Sequence, residues 1–186
     1  SITILNESET PLLEIDDEKE ASEEMRLKYR YLDLRRPKMQ KHLLFRHLAA
    51  QTTREYMTSQ NFLEIETPLL VKTTPGGARV FKTPSRTNLG KFYSLPESPQ
   101  IYKQLLMVAG CDRYFQMAKC LRDEDLRADR QPEFTQIDLE MSFADQKDVQ
   151  DIIEGLLKQL FKKLLNIELK TPFKRITFHD ALSKYG

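Results

Sequence analysis

The residues of this chain that could do chemistry are concentrated between positions 120 and 140, where arginines and carboxylates lie between two apolar segments. Such a composition is poor for a hydrophobic core and suitable for a site that binds a charged ligand. Arg122 could place two parallel donors on a phosphate or a carboxylate, because its guanidinium is planar and always charged. Phe134 could offer a ring face to a nucleobase. The stretch therefore predicts a site for a charged ligand.

Both flanks of this stretch alternate in polarity and are rich in β-branched or aromatic residues, which predicts strands over 113–121 and 134–143. Pro132 lies in the polar segment between them, so we expect a long hairpin with a charged tip. Period-two spacing places Phe134, Gln136 and Asp138 on one face of the second strand. The alternative is a solvated charged turn without a ligand.

Helical periodicity predicts the elements around the hairpin. Pro37 begins a helix that ends near Asn61, with its apolar residues on one broad face, and a strand interrupted by Pro68 follows over 62–70. Because proline lacks a ladder donor, Pro68 is expected at a sheet edge or an interface. The remaining predicted elements are a strand at 92–95 and helices at 100–109, 146–165 and 177–184.

The predicted helix over 100–109 carries further polar residues that could face a ligand. Ser98 could cap this helix, with Pro99 at its first position. Gln100 and Lys103 are three residues apart and therefore adjacent on one helix face, so both could point into one pocket.

Composition bounds the class of protein. The chain has 186 residues, of which 40% are hydrophobic and 31% charged, as expected of one domain or a part of a larger one. Two cysteines give no disulfide framework, which favours a reducing compartment, and no apolar run has the length of a membrane span. The three histidines form no ligand cluster, so no protein metal site is predicted.

Charge is distributed unevenly along the chain. Residues 1–24 contain nine acidic residues and one lysine, which predicts a solvated acidic linker. The rest, 25–186, carries 28 basic against 19 acidic residues. Such an excess favours a polyanionic partner.

The order Arg-Asp-Glu, a variable loop and then Phe-x-Gln-x-Asp resembles motif 2 of the class II aminoacyl-tRNA synthetases. Residues 122–138 (RDEDLRADRQPEFTQID) are similar to the aspartyl-tRNA synthetases of bacterial or organellar type. The similarity continues through YRYLDLRR (29–36), IETP (65–68) and LPESPQ (95–100). It implies an α+β fold, an antiparallel sheet flanked by helices. Residues 25–186 would form the N-terminal half of the catalytic domain, with motif 1 at about 38–70 and motif 2 at about 113–143.

The resemblance implies ATP-dependent activation of L-aspartate and its ligation to tRNA(Asp). The aspartate carboxylate would attack the α-phosphate of ATP, and Mg²⁺ would arrive with ATP and be held largely by the phosphates. Arg122 would be the catalytic residue, holding the α-phosphate and the attacking carboxylate together. The other residues implied to bind ATP are Asp123, Glu124, Gln131 and Phe134.

Aspartate binding is implied for a second group of residues: Ser98, Gln100, Lys103, Arg122, Gln136, Asp138 and, with its role left open, Gly76. Arg127 and Arg130 would contact the tRNA acceptor end, or close over ATP. Pro68, in motif 1, would belong to a homodimer interface. The compartment implied is the cytoplasm of a bacterium or, alternatively, the mitochondrial matrix.

Several features depart from the family pattern. Where bacterial members usually read Thr-Pro-Glu-Gly-Ala-Arg-Asp, residues 74–80 read TPGGARV, so that Gly76 replaces a glutamate that contacts the substrate and Val80 replaces an acid. The anticodon-binding barrel, the insertion domain and motif 3 are absent from this sequence, so weak or no activity is expected of it alone. The asparaginyl and lysyl enzymes are rivals within the class. A catalytically inactive module that binds nucleotide, tRNA or a protein partner remains the alternative function.

Overall fold

The computed structural model describes residues 2–73 and 77–186, so the predicted role of Gly76 lies outside the described residues. The chain divides into two compact units, Ser1–Ala49 and Ala50–Gly186. In chain order the elements are α1 (Glu23–Lys28), α2 (Arg30–Asp33), α3 (Pro37–Ser59), β1 (Leu63–Glu64), β2 (Lys82–Pro84), β3 (Phe92–Ser94), α4 (Gln100–Val108), β4 (Arg113–Leu121), β5 (Glu133–Met141), α5 (Gln146–Leu165) and α6 (Phe178–Tyr185).

In the first unit, arginines surround a fully buried carboxylate. Asp33 accepts hydrogen bonds from Arg26 Nε at 2.9 Å and from Arg30 Nη1 at 2.5 Å, and Arg36 Nε lies 3.8 Å away. Arg36 also donates to the main-chain carbonyl of Glu14. Because a buried charge is tolerated only with opposite charges and hydrogen bonds around it, this cluster explains the arginine-rich sequence on both sides of Asp33.

Helix α3 confirms the helix predicted to begin at Pro37, and it buries apolar residues only in its second half. Tyr56 and Met57, near the end of α3, are buried. Leu43, Leu44 and Phe45 are all exposed.

The main sheet of the second unit has the order β1-β4-β5. Strands β4 and β5 form the predicted antiparallel hairpin, in register from Arg113↔Met141 to Leu121↔Glu133. Strand β1 pairs in parallel with β4, so this sheet is mixed, whereas β2 and β3 form a separate antiparallel pair. The strand predicted over 62–70 is limited to Leu63–Glu64 and ends before Pro68, which has no N–H for a ladder.

The two faces of the β4–β5 hairpin have opposite characters. One face carries Phe115, Leu139 and Met141 and packs against residues of α3 and α5, in a core that includes Tyr56, Met57, Ile152 and Leu156. The other face carries Gln116, Gln136 and Asp138, and α4 lies against it, as the bond between Lys103 and Asp138 shows. This polar face positions the candidate site.

The helix ends follow local capping rules, with one correction. Ser98 does not cap α4, because the helix begins at Gln100 and Pro99 occupies the cap position without a side-chain bond. Helix α5 has the bounds predicted from the sequence and begins with a reciprocal capping box between Asp145 and Asp148. None of the described helices is long and apolar enough to cross a membrane.

Candidate functional site

Arg122 lies one residue beyond β4 and is held at the head of the hairpin. Its main-chain N–H donates to the carbonyl of Pro132 at 2.8 Å, and its Nε donates to the carbonyl of Glu97 at 3.4 Å. The guanidinium carbon lies 5.1 Å from the centroid of the Phe134 ring, a favourable cation–π distance. The two residues expected to hold a phosphate and a base are therefore in contact.

A cleft of about 410 Å³ opens at the hairpin tip, within the size range of small-ligand sites. Four of the five residues predicted to bind ATP line this cleft: Arg122, Glu124, Gln131 and Phe134. Asp125, Asp129 and Arg130 line it as well. Asp123 is placed differently, because its N–H donates to the carbonyl of Arg79 and its own carbonyl accepts from Arg79 Nε, both at 2.9 Å.

The two arginines predicted to contact tRNA lie at the exposed tip of the hairpin. Arg127 and Arg130 face each other in an isolated antiparallel bridge, with Arg130 N–H donating to the carbonyl of Arg127 at 3.1 Å. Both side chains are open to solvent. They are placed where a large polyanion could reach them, and Arg130 also borders the cleft.

Farther along the polar face, a buried lysine joins two carboxylates. Lys103 Nζ lies 2.9 Å from Asp138 Oδ1 and 3.2 Å from Glu140 Oε2, and it donates to the carbonyl of Leu139 at 3.3 Å. Lys103 is 9% exposed and Asp138 is 7% exposed. Burial by itself lowers the pKa of Lys103, but the hydrogen bonds and charges of Asp138 and Glu140 outweigh it, so the pKa is raised. The lysine is therefore charged at neutral pH.

One oxygen of this group has no partner. Among the described residues, Asp138 Oδ2 is the buried side-chain nitrogen or oxygen atom that forms no hydrogen bond. A buried acceptor without a donor costs about 1–3 kcal/mol. With one cation and two carboxylates, the group formed by Lys103, Asp138 and Glu140 also has a net negative charge. This net charge favours a further cation beside the group.

Neutral side chains complete the polar face. Tyr114 Oη donates to Gln116 Oε1 at 2.8 Å, and Thr67 Oγ1 donates to the same oxygen at 3.0 Å. Burial, with a further contribution from the Asp138 charge, raises the pKa of Tyr114. Burial also raises the pKa of Cys120, whose Sγ lies 3.5 Å from Gln136 Oε1. The hydroxyl and the thiol therefore stay protonated and act as donors.

Tyr114, Gln116 and Glu140 were missed as site residues by the sequence reasoning. Glu140 is two residues beyond Asp138, so the period of the strand could have placed it on the same face. The other two could be found only once the pairing of β4 with β5 was known, because Gln116 lies opposite Asp138 and Tyr114 opposite Glu140.

The residues predicted to bind aspartate fall into two neighbouring places. Ser98 and Gln100 line a cavity of about 330 Å³ together with Glu97 and Val80. Lys103 is not among the residues that line this cavity, because its side chain is directed to the sheet and its charge is paired there. The expectation that Gln100 and Lys103 point into one pocket is therefore not met.

Pro68 lies beyond β1 on an exposed apolar surface. It is solvent-exposed and lines a shallow groove of about 320 Å³ with residues of α4 that include Tyr102 and Leu105. Leu69 and Leu70, which follow it, are also about half exposed. The surface is apolar, as expected of an interface.

The described residues contain no group of three or more His, Cys, Asp or Glu side chains that could hold a metal ion. Carboxylates do line the cleft at the hairpin tip, as Glu124, Asp125 and Asp129 do. Oxygen donors of this kind suit Mg²⁺, which keeps several waters and is usually bound through one or two carboxylates and substrate phosphates. The cleft therefore fits a magnesium ion that enters with a polyphosphate.

Comparison with known proteins gives concordant results. The chain is 58% identical over 186 residues to the aspartate–tRNA(Asp/Asn) ligase of Caldanaerobacter subterraneus, and 60% identical over 185 residues to that of Hydrogenobaculum. It is 58% identical over 185 residues to the aspartate–tRNA ligase of Clostridium perfringens. Each match covers 100% of this chain and 31% of the relative, so the chain spans about a third of the length of these proteins. The family model for tRNA synthetases class II (D, K and N) matches residues 22–186, and the chain belongs to this family.

Proposed function

We propose that the native-length protein activates L-aspartate with ATP and ligates it to tRNA(Asp). The observation that supports this proposal most is that the residues expected to bind ATP and those expected to bind aspartate meet on one face of the β4–β5 hairpin. Arg122 and Phe134 lie at its head, and Lys103 meets Asp138 farther along the same face. The names of the bacterial relatives, aspartate–tRNA ligases, support the same activity.

In this proposal the head of the hairpin binds ATP. Phe134 stacks on adenine, while Glu124 and Gln131 contact the polar groups of the nucleotide from the walls of the cleft. Arg122 holds the α-phosphate and the attacking carboxylate together, so that charge developing during the displacement meets a fixed guanidinium. Asp125 and Asp129, in the same cleft, would hold a magnesium ion bound with ATP, and that ion would supply positive charge to the phosphates.

The amino acid is placed on the polar face beside α4. Its ammonium is assigned to the negative charge of the Asp138 and Glu140 carboxylates, which exceeds the single positive charge of Lys103. Lys103 pairs with the side-chain carboxylate, and Gln136, Ser98 and Gln100 provide hydrogen bonds around the backbone groups. Because Lys103 already pairs with two carboxylates, binding of a third requires a further cation, and we assign this role to Arg122 at the head of the same face.

Three finer properties belong to the same proposal. Arg127 and Arg130, exposed at the hairpin tip, contact the acceptor end of tRNA. The apolar surface at Pro68, Leu69 and Leu70 forms part of a homodimer interface. The relatives named above are bacterial, which supports the cytoplasm of a bacterium as the compartment of this protein.

The direct test is aspartate-dependent ATP–pyrophosphate exchange by the native-length protein. Arg122→Ala removes a donor that acts on the developing charge, so we expect exchange to fall by at least about 100-fold. Arg86→Ala, which removes an exposed arginine in the turn between β2 and β3, is the matched control and should retain exchange. The 186-residue chain alone is expected to show little or no exchange.

A null result would favour the alternative function. If the native-length protein shows no exchange with aspartate, the enzyme assignment fails, and a non-catalytic module that binds nucleotide, tRNA or a partner takes its place. Exchange with asparagine or lysine in preference to aspartate would reassign the substrate within the family. Exchange that survives Arg122→Ala would refute the role given to the head of the hairpin.

A further inference from the structure

Residues 77–80 are tied to the head of the hairpin by several polar contacts. Ala78 N–H donates to Glu97 Oε2 at 2.9 Å. Asp123 N–H donates to the carbonyl of Arg79 at 2.9 Å, and Arg79 Nη2 lies 3.6 Å from Asp125 Oδ1. This segment therefore lies across the beginning of the hairpin loop, directly after Arg122.

Glu97 connects this segment with Arg122 from the other side. Its side chain accepts the Ala78 N–H, and its main-chain carbonyl accepts from Arg122 Nε. The neighbouring carbonyl, of Pro96, accepts the N–H of Leu121. Residues 96 and 97 thus support the end of β4 through their main chain, while the carboxylate of Glu97 reaches toward residues 77–80.

We propose that Glu97 is a positioning residue whose carboxylate holds residues 77–80 against the cavity lined by Ser98 and Gln100, two of the residues proposed above to bind aspartate. The inference rests on the proposed function and extends it to a residue that contacts neither the phosphate nor the base. Val80, in the held segment, and Glu97 itself both line the cavity that contains Ser98 and Gln100. Release of the segment opens one wall of that cavity and lowers the affinity for the amino acid.

The side chain and the main chain of Glu97 make different contacts, so a substitution affects only one of them. Substitution of the side chain removes the acceptor for Ala78 but leaves the carbonyl that accepts from Arg122. The KM for aspartate should therefore rise, while the KM for ATP should change little. Glu97→Gln keeps an oxygen at the same reach, so it should still accept the Ala78 N–H.

The first experiment uses trypsin on the 186-residue chain and does not depend on any enzyme activity. Cleavage after Arg79 requires local release of residues 77–80, and its rate follows the population of the released form when opening is fast. We expect about tenfold faster cleavage in Glu97→Ala, and a rate close to wild type in Glu97→Gln. Cleavage after Arg54, inside α3, reports global unfolding and should not change.

The second experiment measures pyrophosphate exchange with the native-length protein. Glu97→Ala should raise the KM for aspartate about tenfold, with the KM for ATP within about twofold of wild type, and Glu97→Gln should restore the KM for aspartate. Glu168→Ala, which removes an exposed carboxylate paired with Lys162, is the matched control.

These two readouts separate failure of the inference from failure of the proposed function. Three outcomes of the tryptic experiment would overturn the positioning role. Cleavage after Arg79 could be unchanged in Glu97→Ala, or cleavage after Arg54 could be accelerated equally. The third outcome is cleavage after Arg79 that is as fast in Glu97→Gln as in Glu97→Ala. An unchanged KM for aspartate would overturn it as well. If the wild-type protein shows no aspartate-dependent exchange, the proposed function fails, and the tryptic pattern alone decides whether Glu97 holds the segment.

Discussion

Replacement of Lys103 by methionine tests the buried group on the polar face. Methionine keeps most of the length of the side chain but removes the charge that lies 2.9 Å from Asp138 and 3.2 Å from Glu140. Removing one partner from a buried ion pair costs about 3–5 kcal/mol, because the other charge stays buried without compensation. The side chain of Glu140 is 29% exposed and retains contact with water, so we expect a loss near the lower end, about 3 kcal/mol.

The assay is urea unfolding of the 186-residue chain, followed by far-ultraviolet circular dichroism. With a slope of about 2–3 kcal/mol per molar urea, a loss of this size lowers the midpoint by about 1 M. Lys162→Met is the matched control, because Lys162 forms an exposed pair with Glu168 at 2.6 Å. Exposed pairs contribute at most about 1 kcal/mol, so the control should shift the midpoint far less.

A double substitution separates two contributions to the loss of stability: the lost ion pair, and the burial of a carboxylate without a compensating charge. Lys103→Met combined with Asp138→Leu removes the uncompensated carboxylate together with its unpartnered oxygen, so we expect the double variant to be more stable than Lys103→Met alone. If Lys103→Met lowers the free energy of unfolding no more than Lys162→Met does, the group formed by Lys103, Asp138 and Glu140 is solvated, and the prediction is refuted. A double variant less stable than the single one would also contradict it.

The pH dependence of the same variant gives an independent check. Because the folded pKa of Lys103 is raised above its unfolded value, its contribution to stability is fully present below about pH 10.4 and is lost as pH rises through the folded pKa. The difference in unfolding free energy between wild type and Lys103→Met should therefore stay constant from neutral pH to about pH 9 and shrink in more alkaline solution. If the difference in unfolding free energy between wild type and Lys103→Met shrinks between pH 6 and 8, the pKa of Lys103 is not raised in the folded state.

Two further predictions concern the packing and the acid stability of the fold. Gly155→Ala should destabilise the chain by about 1–3 kcal/mol in urea unfolding, because a Cβ there would overlap Tyr56 Oη. Adding Tyr56→Phe should restore part of the loss, and an unchanged stability of Gly155→Ala would contradict the close packing. The hydrogen bond from Arg26 holds the pKa of Asp33 below its usual range despite burial, so its contribution is present above about pH 3.9 and lost as pH falls through the folded pKa. The stability of wild type should therefore fall more steeply between pH 4 and 2 than that of Asp33→Asn, and parallel curves would refute this.

The elements that the sequence predicted well depend on signals that lie close together along the chain. The hairpin was predicted because alternation over 113–121 and 134–143 is a local pattern, and the strands were found at Arg113–Leu121 and Glu133–Met141. Helix α5 was predicted with the bounds at which it is found, from its period of 3.6 residues. The family followed from the order of residues 122–138, which needs no knowledge of contacts.

The arrangement of the site depends on contacts that the sequence does not reveal. Gln100 and Lys103 are separated by about 60° around α4, and this rotation is enough to direct Lys103 to the sheet while Gln100 borders the neighbouring cavity. The bond between Glu97 and Ala78 joins residues 19 positions apart, across the strands β2 and β3. No periodicity predicts such a pair, since it exists only after the chain returns on itself.

The polar face of the hairpin contains an exception to the rule that buried polar atoms form hydrogen bonds. The opposite face of the same strands is packed with Phe115, Leu139 and Met141, as a stable core requires. On the polar face the fold instead buries Asp138 and leaves Oδ2 without a donor among the described residues. The unpartnered oxygen costs about 1–3 kcal/mol, and a local violation of this kind is expected at functional positions rather than at purely structural ones.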